Sequence, residues 1–277
     1  MSEPKAPKKS KKVQKKVTIV RPPVQIFGHR GNSGYFPENS IKAFKSCLEL
    51  TGVAGAEIDV QMTRDGEVIV YHDEDLTRFG GPKAKIPTTS WAEIKKIDIG
   101  TYYGPESAGT TVPLLDDLMA LLPENSQDFL LNIELKISPV LKGENLKTFV
   151  HRLYTQVDSW VDPKKILFSS FNWDCLDILR HYSSEMRLGV LTDQPDERGW
   201  ISKVKQLNAE FIIVPMSKCD PEFIAIVTDD LEAGIIAYTE FDYKLKEEEL
   251  EMCRTLLNSN IRGLIVNYPQ DVFNLIS

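Results

Sequence analysis

Short apolar runs alternate with amphipathic segments along almost all of the chain after residue 23, and this rhythm limits the possible folds more than any other feature. Nine runs have the length and residue types of β-strands: residues 25–29, 55–60, 68–72, 130–136, 166–171, 187–191, 211–214, 234–239 and 263–266. Most are followed by a segment with apolar residues at helical spacing. Strands that alternate with helices are typical of a parallel α/β fold.

The size of the chain and the number of repeats favour a (β/α)8 TIM-type barrel over a doubly wound sheet. The first run is not followed by the glycine-rich phosphate loop of a dinucleotide-binding fold. Nine runs are one too many for such a barrel. We therefore expect one run, with the last as the candidate, to lie outside the barrel or to replace a weaker one.

The rhythm is interrupted between about residues 74 and 113, where glycines are frequent and a short helical piece is predicted at 91–97. In a barrel this segment is an insertion after the third strand, on the face where active sites lie. We expect it to form a cap over the site. The alternative is a structural excursion without substrate contact.

Charge divides the chain into two parts. Residues 1–20 contain seven lysines and one glutamate, whereas the whole chain has a net charge of −7, so the rest carries −13. The lysine-rich tail is predicted to be disordered, and residues 21–277 to form one barrel domain. The tail suits a solvated segment, a weak contact with an anionic membrane or a nuclear address. The acidic body argues against nucleic-acid binding.

The four cysteines, Cys47, Cys175, Cys219 and Cys253, show neither metal-site nor disulfide spacing. Free cysteines indicate a reducing compartment, so a cytoplasmic location is expected. No run reaches the roughly 18 to 20 apolar residues of a membrane-spanning helix.

Acidic side chains follow two of the predicted strands at a spacing of two. Glu57 and Asp59 therefore share one face, as do Glu134 and Lys136. Three converging carboxylates repel one another unless a cation lies between them, and an all-oxygen site suits one divalent cation, Mg²⁺ or Ca²⁺. The alternative is that Glu134 and Lys136 form only an interior ion pair.

Two of the four histidines, His29 and His72, end predicted strands of this same region. Histidines on opposite sides of a phosphodiester can serve as base and acid. Arg30 offers a bidentate donor for phosphate oxygens, and Lys136 offers a point charge. Either histidine alone would more often be a core residue, but together with the three carboxylates they indicate a hydrolytic site. The sequence leaves open which histidine is the base.

Six strings, in this order and at this spacing, resemble the glycerophosphodiester phosphodiesterase family: HRG (29–31), PEN (37–39), EIDV (57–60), TRDG (63–66), VYHD (70–73) and NIELK (132–136). The resemblance implies a phospholipase-C-like barrel that hydrolyses glycerophosphodiesters to an alcohol and sn-glycerol 3-phosphate. It also implies that a substrate hydroxyl attacks phosphorus first and that water then opens a cyclic phosphate.

The resemblance gives each residue an expected role. His29 and His72 look like the acid–base pair, Glu57, Asp59 and Glu134 like the metal ligands, and Arg30 and Lys136 like phosphate contacts. Glu38 and Asn39 are expected beside the substrate, and Asn39 also suits the N-cap of the following helix.

The chain departs from the family pattern at two places. A Trp-Thr-x-Asn string is replaced by YTEF at 238–241, and a Thr-Asp-x-Pro string by VNYP at 266–269. We expect neither string to touch the metal or histidine positions, so both concern the alcohol end of the substrate.

The sequence therefore predicts an enzyme that hydrolyses small phosphodiesters such as glycerophosphocholine or glycerophosphoethanolamine. One alternative is a lysophospholipase D that acts at a membrane, which the basic tail and the insertion aromatics Trp91, Tyr102 and Tyr103 favour. A second alternative is a barrel that binds a phosphorylated ligand without turning it over. The oligomeric state is left open.

Overall fold

The computed structural model describes residues 23–122, 129–159 and 162–277, so the basic tail predicted for residues 1–20 lies outside the described residues. Nine strands are present in this part of the chain. They are β1 (Gln25–Gly28), β2 (Gly55–Met62), β3 (Val68–Val70), β4 (Leu130–Leu135), β5 (Ile166–Ser170), β6 (Arg187–Leu191), β7 (Phe211–Pro215), β8 (Gly234–Tyr238) and β9 (Gly263–Val266).

Eight of these strands form a closed parallel barrel, in the order β1-β9-β8-β7-β6-β5-β4-β2, and β2 pairs with β1 again. This confirms the predicted (β/α)8 fold. The register between β2 and β4 places Asp59 opposite Glu134 and Glu57 opposite Asn132. Side chains at paired positions of neighbouring strands point to the same side, so the acidic residues of the two strands converge.

The expectation that the last strand lies outside the barrel is wrong. The strand outside it is β3, which is antiparallel to β2 and pairs Val70 with Val60. The last strand, β9, pairs with β1 and closes the barrel. β2 rises past the rim, and β3 brings the chain back to it, because Tyr71 N–H donates to the Asp59 carbonyl.

Helices cover the outside of the barrel, and one short helix, formed by residues 91–94, lies in the insertion. They are α1 (Ile41–Leu48), α2 (Trp91–Ile94), α3 (Leu115–Met119), α4 (Glu144–Asp158), α5 (Trp173–Tyr182), α6 (Gly199–Leu207), α7 (Pro221–Asp230), α8 (Lys246–Leu257) and α9 (Pro269–Phe273). Side chains at the starts of α1, α5 and α7 cap them: Ser40, Asn172 and Asp220 each accept a backbone N–H three residues later. None of the helices in the described part of the chain is both long and apolar enough to cross a membrane.

The barrel has two apolar layers. The larger core lies between the strands and the helices and includes Ile58, Ile133 and Val214. A smaller cluster fills the inside of the barrel, with Phe27, Leu167, Leu191, Phe211, Ile213, Ile236 and Ile265. The inner cluster fills part of the barrel interior with apolar side chains.

The predicted insertion follows β3 and has a core of its own. Its buried residues Leu76, Ile86, Ile94, Ile99 and Val112 pack with Ile69 of β3 and with Tyr71 in a cluster separate from the barrel cores. Between them the chain makes short 3₁₀ turns, and Gly80, at φ 76°, ends the first of these at Phe79. The insertion is therefore a small folded unit.

Candidate active site

A cavity of about 520 Å³ opens where the barrel strands end. Seven of the nine predicted site residues line it: His29, Arg30, Glu38, Glu57, His72, Glu134 and Lys136. The other two, Asp59 and Asn39, are buried and contact them from within the fold. The residues selected from separate parts of the sequence thus lie together.

Three buried carboxylates are placed to hold a cation. Glu57, Asp59 and Glu134 each offer an oxygen, and these oxygens lie within 4.8 Å of one another. The Glu57 Oε2 accepts the Arg30 backbone N–H at 2.8 Å, but its Oε1 is buried with no hydrogen-bond partner. Burial, followed by the charges of Asp59 and Glu134, raises the pKa of Glu57 well above its usual range. An unpartnered buried oxygen among carboxylates fits a divalent cation.

Two cationic side chains also contact this cluster. Arg30 Nε lies 3.3 Å from Asp59, and Lys136 Nζ lies 2.8 Å from Glu134 and 3.9 Å from Asp59. Burial alone would raise the pKa of Asp59, but His72, Arg30 and Lys136 together lower it to about 2. The ion pair considered as an alternative is present, and it lies inside the carboxylate cluster.

Asn39 does not cap α1, because Ser40 occupies that position. Its backbone has a φ of 54°, which turns its side chain towards β2. There the amide makes two bonds: Nδ2 donates to Asp59 Oδ2 at 2.8 Å, and Oδ1 accepts the Asp59 backbone N–H at 3.2 Å. The side chain is buried and fixes Asp59, which points to a positioning role.

Glu38 connects the barrel to the insertion. Its carboxylate accepts hydrogen bonds from Arg30, from both terminal nitrogens of Arg78 and from the Tyr103 hydroxyl. Burial opposes ionisation, but Arg30 and Arg78 hold the pKa of Glu38 far below its usual range. Arg78 was not identified from the sequence, and Tyr103 was singled out only as an aromatic residue of the insertion, although both line the cavity. Their only sequence signal was their place in the predicted cap.

Glu38, His72 and Asp73 form a second group with the spacing of a metal site. Arg78 already supplies the positive charge there, since its guanidinium donates to both carboxylates. We therefore do not assign a cation to this group.

His72 reaches the cavity because β3 returns the chain to the rim. Its Nδ1 lies 2.8 Å from Asp73 Oδ1, and the same carboxylate is bonded to Arg78 at 2.7 Å. Arg78 thus contacts Asp73, the partner of His72, and also Glu38, the partner of Arg30.

His29 follows β1, the neighbour of β2 in the barrel, and contacts Asn267. Its Nδ1 lies 2.8 Å from Asn267 Oδ1. Burial first, and Arg30 second, lower the pKa of His29 to about 3, so the ring is neutral at neutral pH. The expectation that the VNYP string does not touch the histidine positions is wrong, because β9 ends beside β1 and brings Asn267 to His29.

Strands β6 to β9 also contribute to the lining of the cavity. They supply the apolar side chains Leu191, Ile213 and Ile265 and the aromatic Tyr238 of the YTEF string, whose ring lies 6.4 Å from that of Phe171. Glu240 and Asp242, from the loop after β8, add two acidic side chains. A substrate would thus meet apolar and aromatic side chains as well as the charged groups of β1, β2 and β4.

A (β/α)8 barrel that presents two histidines and a carboxylate cluster at its rim is the arrangement of barrel enzymes that cleave phosphodiesters. The match to known proteins is more specific. Residues 29–271 match the Glycerophosphoryl diester phosphodiesterase family, and the chain belongs to this family. The predicted family and enzyme class are thereby confirmed.

Individual relatives agree with this family. A glycerophosphodiester phosphodiesterase of Bacillus subtilis is 34% identical over 264 residues, which cover 90% of this chain and 84% of the relative. One from Caldanaerobacter subterraneus is 34% identical over 166 residues, or 60% of this chain and 65% of the relative. A phosphodiesterase of Oleispira antarctica, solved with the product sn-glycerol-3-phosphate, superposes with a TM-score of 0.77 at 25% identity, over 91% of this chain and 96% of that one.

Proposed function

We propose that this protein hydrolyses glycerophosphodiesters, such as glycerophosphocholine or glycerophosphoethanolamine, to an alcohol and sn-glycerol 3-phosphate with the help of one divalent cation. The observation that carries the proposal is the meeting of His29, His72 and the Glu57–Asp59–Glu134 cluster around one cavity. The product bound to the Oleispira relative supports the same product here.

Glu57, Asp59 and Glu134 would hold the cation, and Mg²⁺ and Ca²⁺ are the candidates because all the ligands are oxygens. When bound, the cation supplies positive charge to a phosphoryl oxygen and relieves the repulsion within the cluster. Arg30 and Lys136 lie beside the cluster and would contact the remaining phosphate oxygens.

His29 and His72 would move the protons. When a substrate hydroxyl attacks phosphorus, one histidine accepts its proton and the other donates a proton to the departing alcohol oxygen. When water opens the cyclic phosphate, the two proton transfers run in reverse and restore both histidines. Each positioned acid or base contributes roughly 10²- to 10⁴-fold to such a step.

The test is hydrolysis of glycerophosphocholine by the full chain, with Mg²⁺ or Ca²⁺ added in turn and with excess chelator. We expect release of sn-glycerol 3-phosphate with at least one cation and its loss in chelator. His72→Ala should lower kcat about 10²- to 10⁴-fold. The matched variant His181→Ala, which changes an exposed residue of α5, should leave kcat unchanged. Full activity in chelator would refute the metal assignment, and binding without turnover would favour the ligand-binding alternative.

Lysophospholipids are a second candidate substrate, because Tyr102 and Phe171 line the cavity and are 46% and 42% exposed. Exposed aromatic side chains at the mouth would contact an acyl chain that extends from the site. Turnover of lysophosphatidylcholine and glycerophosphocholine should be compared for the full chain and for a chain without residues 1–20. A preference for the lysolipid that disappears with the tail would establish this alternative and weak contact of the tail with anionic membranes.

We also propose a cytoplasmic location and a single barrel domain over residues 21–277. All four cysteines are buried and free, which suits a reducing compartment.

A further inference from the structure

Hydrogen bonds to both Nδ2 and Oδ1 determine the orientation of the Asn267 side-chain amide. Its Nδ2 donates to the Phe241 carbonyl at 3.0 Å, in the loop after β8. Its Oδ1 therefore faces the other way, where it accepts the Ser33 hydroxyl at 3.1 Å and meets His29 Nδ1 at 2.8 Å. An oxygen can only accept, so Nδ1 of His29 must carry the proton.

We propose that Asn267 is a positioning residue that fixes His29 in the Nδ1–H tautomer, in which Nε2 is free to accept a proton. A neutral imidazole with a proton on Nδ1 has its lone pair on Nε2. His29 lines the cavity, so Nε2 is the nitrogen left for the attacking hydroxyl. His72, whose Nδ1 lies against the Asp73 carboxylate, is then the acid.

The backbone of Asn267 is held in place by hydrogen bonds to a buried carboxylate. Glu249, on α8, is buried, and its carboxylate accepts the backbone N–H groups of Asn267 and Tyr268 at 3.2 and 3.1 Å. It also accepts the Thr239 hydroxyl at 2.6 Å. One carboxylate thus joins the ends of β8 and β9, and the loop after β8 holds the amide. Asn267 has little freedom to rotate.

The assignment of base and acid rests on the proposed function, but the tautomer does not. The proton balance is complete: the attacking hydroxyl gives its proton to His29 Nε2, its oxygen bonds to phosphorus, and the phosphorus–alcohol bond breaks as His72 gives a proton to the leaving oxygen. Ring opening by water then returns a proton from His29 to the oxygen released and gives one from water to His72.

The direct test is the ¹⁵N NMR spectrum of the imidazole groups in the substrate-free full chain. The chain has only four histidines, so the His29 signals can be assigned by their loss in His29→Gln. We expect one ring nitrogen, Nδ1, to be protonated and Nε2 to be unprotonated at neutral pH. Protonation at Nε2, or an equal mixture of both tautomers, would overturn the proposal even if the enzyme turns over.

The kinetic test compares three variants. Asn267→Ala should lower kcat about 10- to 100-fold, as the loss of other orienting partners does, with KM within about twofold and with both His29 tautomers visible. The control Asn258→Ala removes an exposed amide at the end of α8 and should leave kcat unchanged. A rise in KM with an unaltered tautomer would instead make Asn267 a substrate contact.

Asn267→Asp guards against simple misfolding, because it keeps the side-chain shape. Its carboxylate would stabilise the protonated His29 ring, so the acid limb of the profile of kcat/KM against pH should move to higher pH. The other charges that act on this ring, Arg30, Asp59 and Glu38, are unchanged in the variant. An unmoved acid limb in a folded, active variant would contradict the role of His29 as base.

Discussion

The barrel and the insertion both contribute to the site, but they place their residues by different means. The barrel carries Glu57, Asp59 and Glu134 on two paired strands, so the register of the sheet sets their spacing. The insertion contributes Arg78 and Tyr103 from turns. Both line the cavity and donate to the carboxylate of Glu38, and Arg78 also donates to Asp73. The candidate metal ligands thus lie on the barrel, whereas Arg30 and His72 contact carboxylates that the separately folded insertion also holds.

The two regions also differ in electrostatic balance. The carboxylates of the barrel repel one another, and the pKa values of Glu57 and Glu134 are raised by burial and by neighbouring acids. The contacts of the insertion are complementary, since Arg78 lies between two carboxylates. In the barrel site, the carboxylates that would bind the cation therefore reduce the stability of the fold. The ion pairs of Arg78 in the insertion instead favour both the stability of the fold and the arrangement of the site.

The largest effect should come from Glu57→Gln. Loss of one cation ligand should lower kcat/KM by about 10²- to 10³-fold or more, yet the metal-free protein should become more stable by about 1 kcal/mol, because a buried repelling charge is removed. Kinetics, calorimetric metal titration and thermal melting in chelator measure the three quantities. Glu222→Gln, on the exposed face of α7, is the matched control. A lower melting temperature in chelator would show that the carboxylate stabilises the fold.

Ile94→Ala should separate the two cores. Ile94 is fully buried in the insertion, and its truncation should cost about 2 to 5 kcal/mol. Hydrogen exchange should accelerate in residues 74–113 and remain slow in the barrel strands. Ile133→Ala, equally buried in β4, should instead accelerate exchange throughout the barrel. If both variants gave the same pattern, the insertion and the barrel would be one cooperative unit.

Arg78→Met tests whether the insertion orients the catalytic groups. We expect kcat to fall about 10- to 100-fold, because Asp73 and Glu38 lose their shared partner, and Arg78→Lys to recover part of the loss. Steady-state kinetics at saturating substrate measure it. An unchanged kcat in a variant whose insertion is folded would show that the insertion covers the cavity without orienting the catalytic groups.

The smallest effect is expected from Tyr103→Phe, which removes one of four hydrogen bonds to Glu38. A loss of about 1 kcal/mol corresponds to roughly a fivefold change in kcat/KM. Tyr154→Phe, on α4 and away from the cavity, provides the reference. A loss as large as that of Arg78→Met would make Tyr103 a direct contact of the substrate.

The part of the site that the sequence predicts is the part set by periodicity. Alternation on β2 and β4 was enough to place Glu57, Asp59 and Glu134 together, and strand ends were enough to place His29. The same reasoning predicted that residues 68–72 form a barrel strand, because the sequence of a short apolar run does not show whether the strand is parallel or antiparallel to its neighbour. Only the pairing of Val70 with Val60 shows that β3 is antiparallel.

The remaining contacts depend on loops, whose shapes have no period in the sequence. Arg78 lies six residues after His72, with nothing in its neighbourhood to indicate that it turns back to Asp73. Asn39 looked like a helix cap because asparagine is a favoured N-cap residue, and its positive φ is not visible in the residue type. Asn267 was expected not to contact His29, which lies 238 residues away, and only closure of the barrel brings the two together.

That closure has a consequence for the time at which the protein becomes active. The ribosome synthesises the chain from the N-terminus to the C-terminus at about 5 to 20 residues per second, so β1 emerges roughly 10 to 50 s before β9. During this interval His29 has no Asn267 beside it, and the outer edge of β1 has no partner strand. A nascent chain that already contains both histidines and all three carboxylates would therefore lack an oriented base. Translation of the final strand would complete the barrel and the enzyme in the same event.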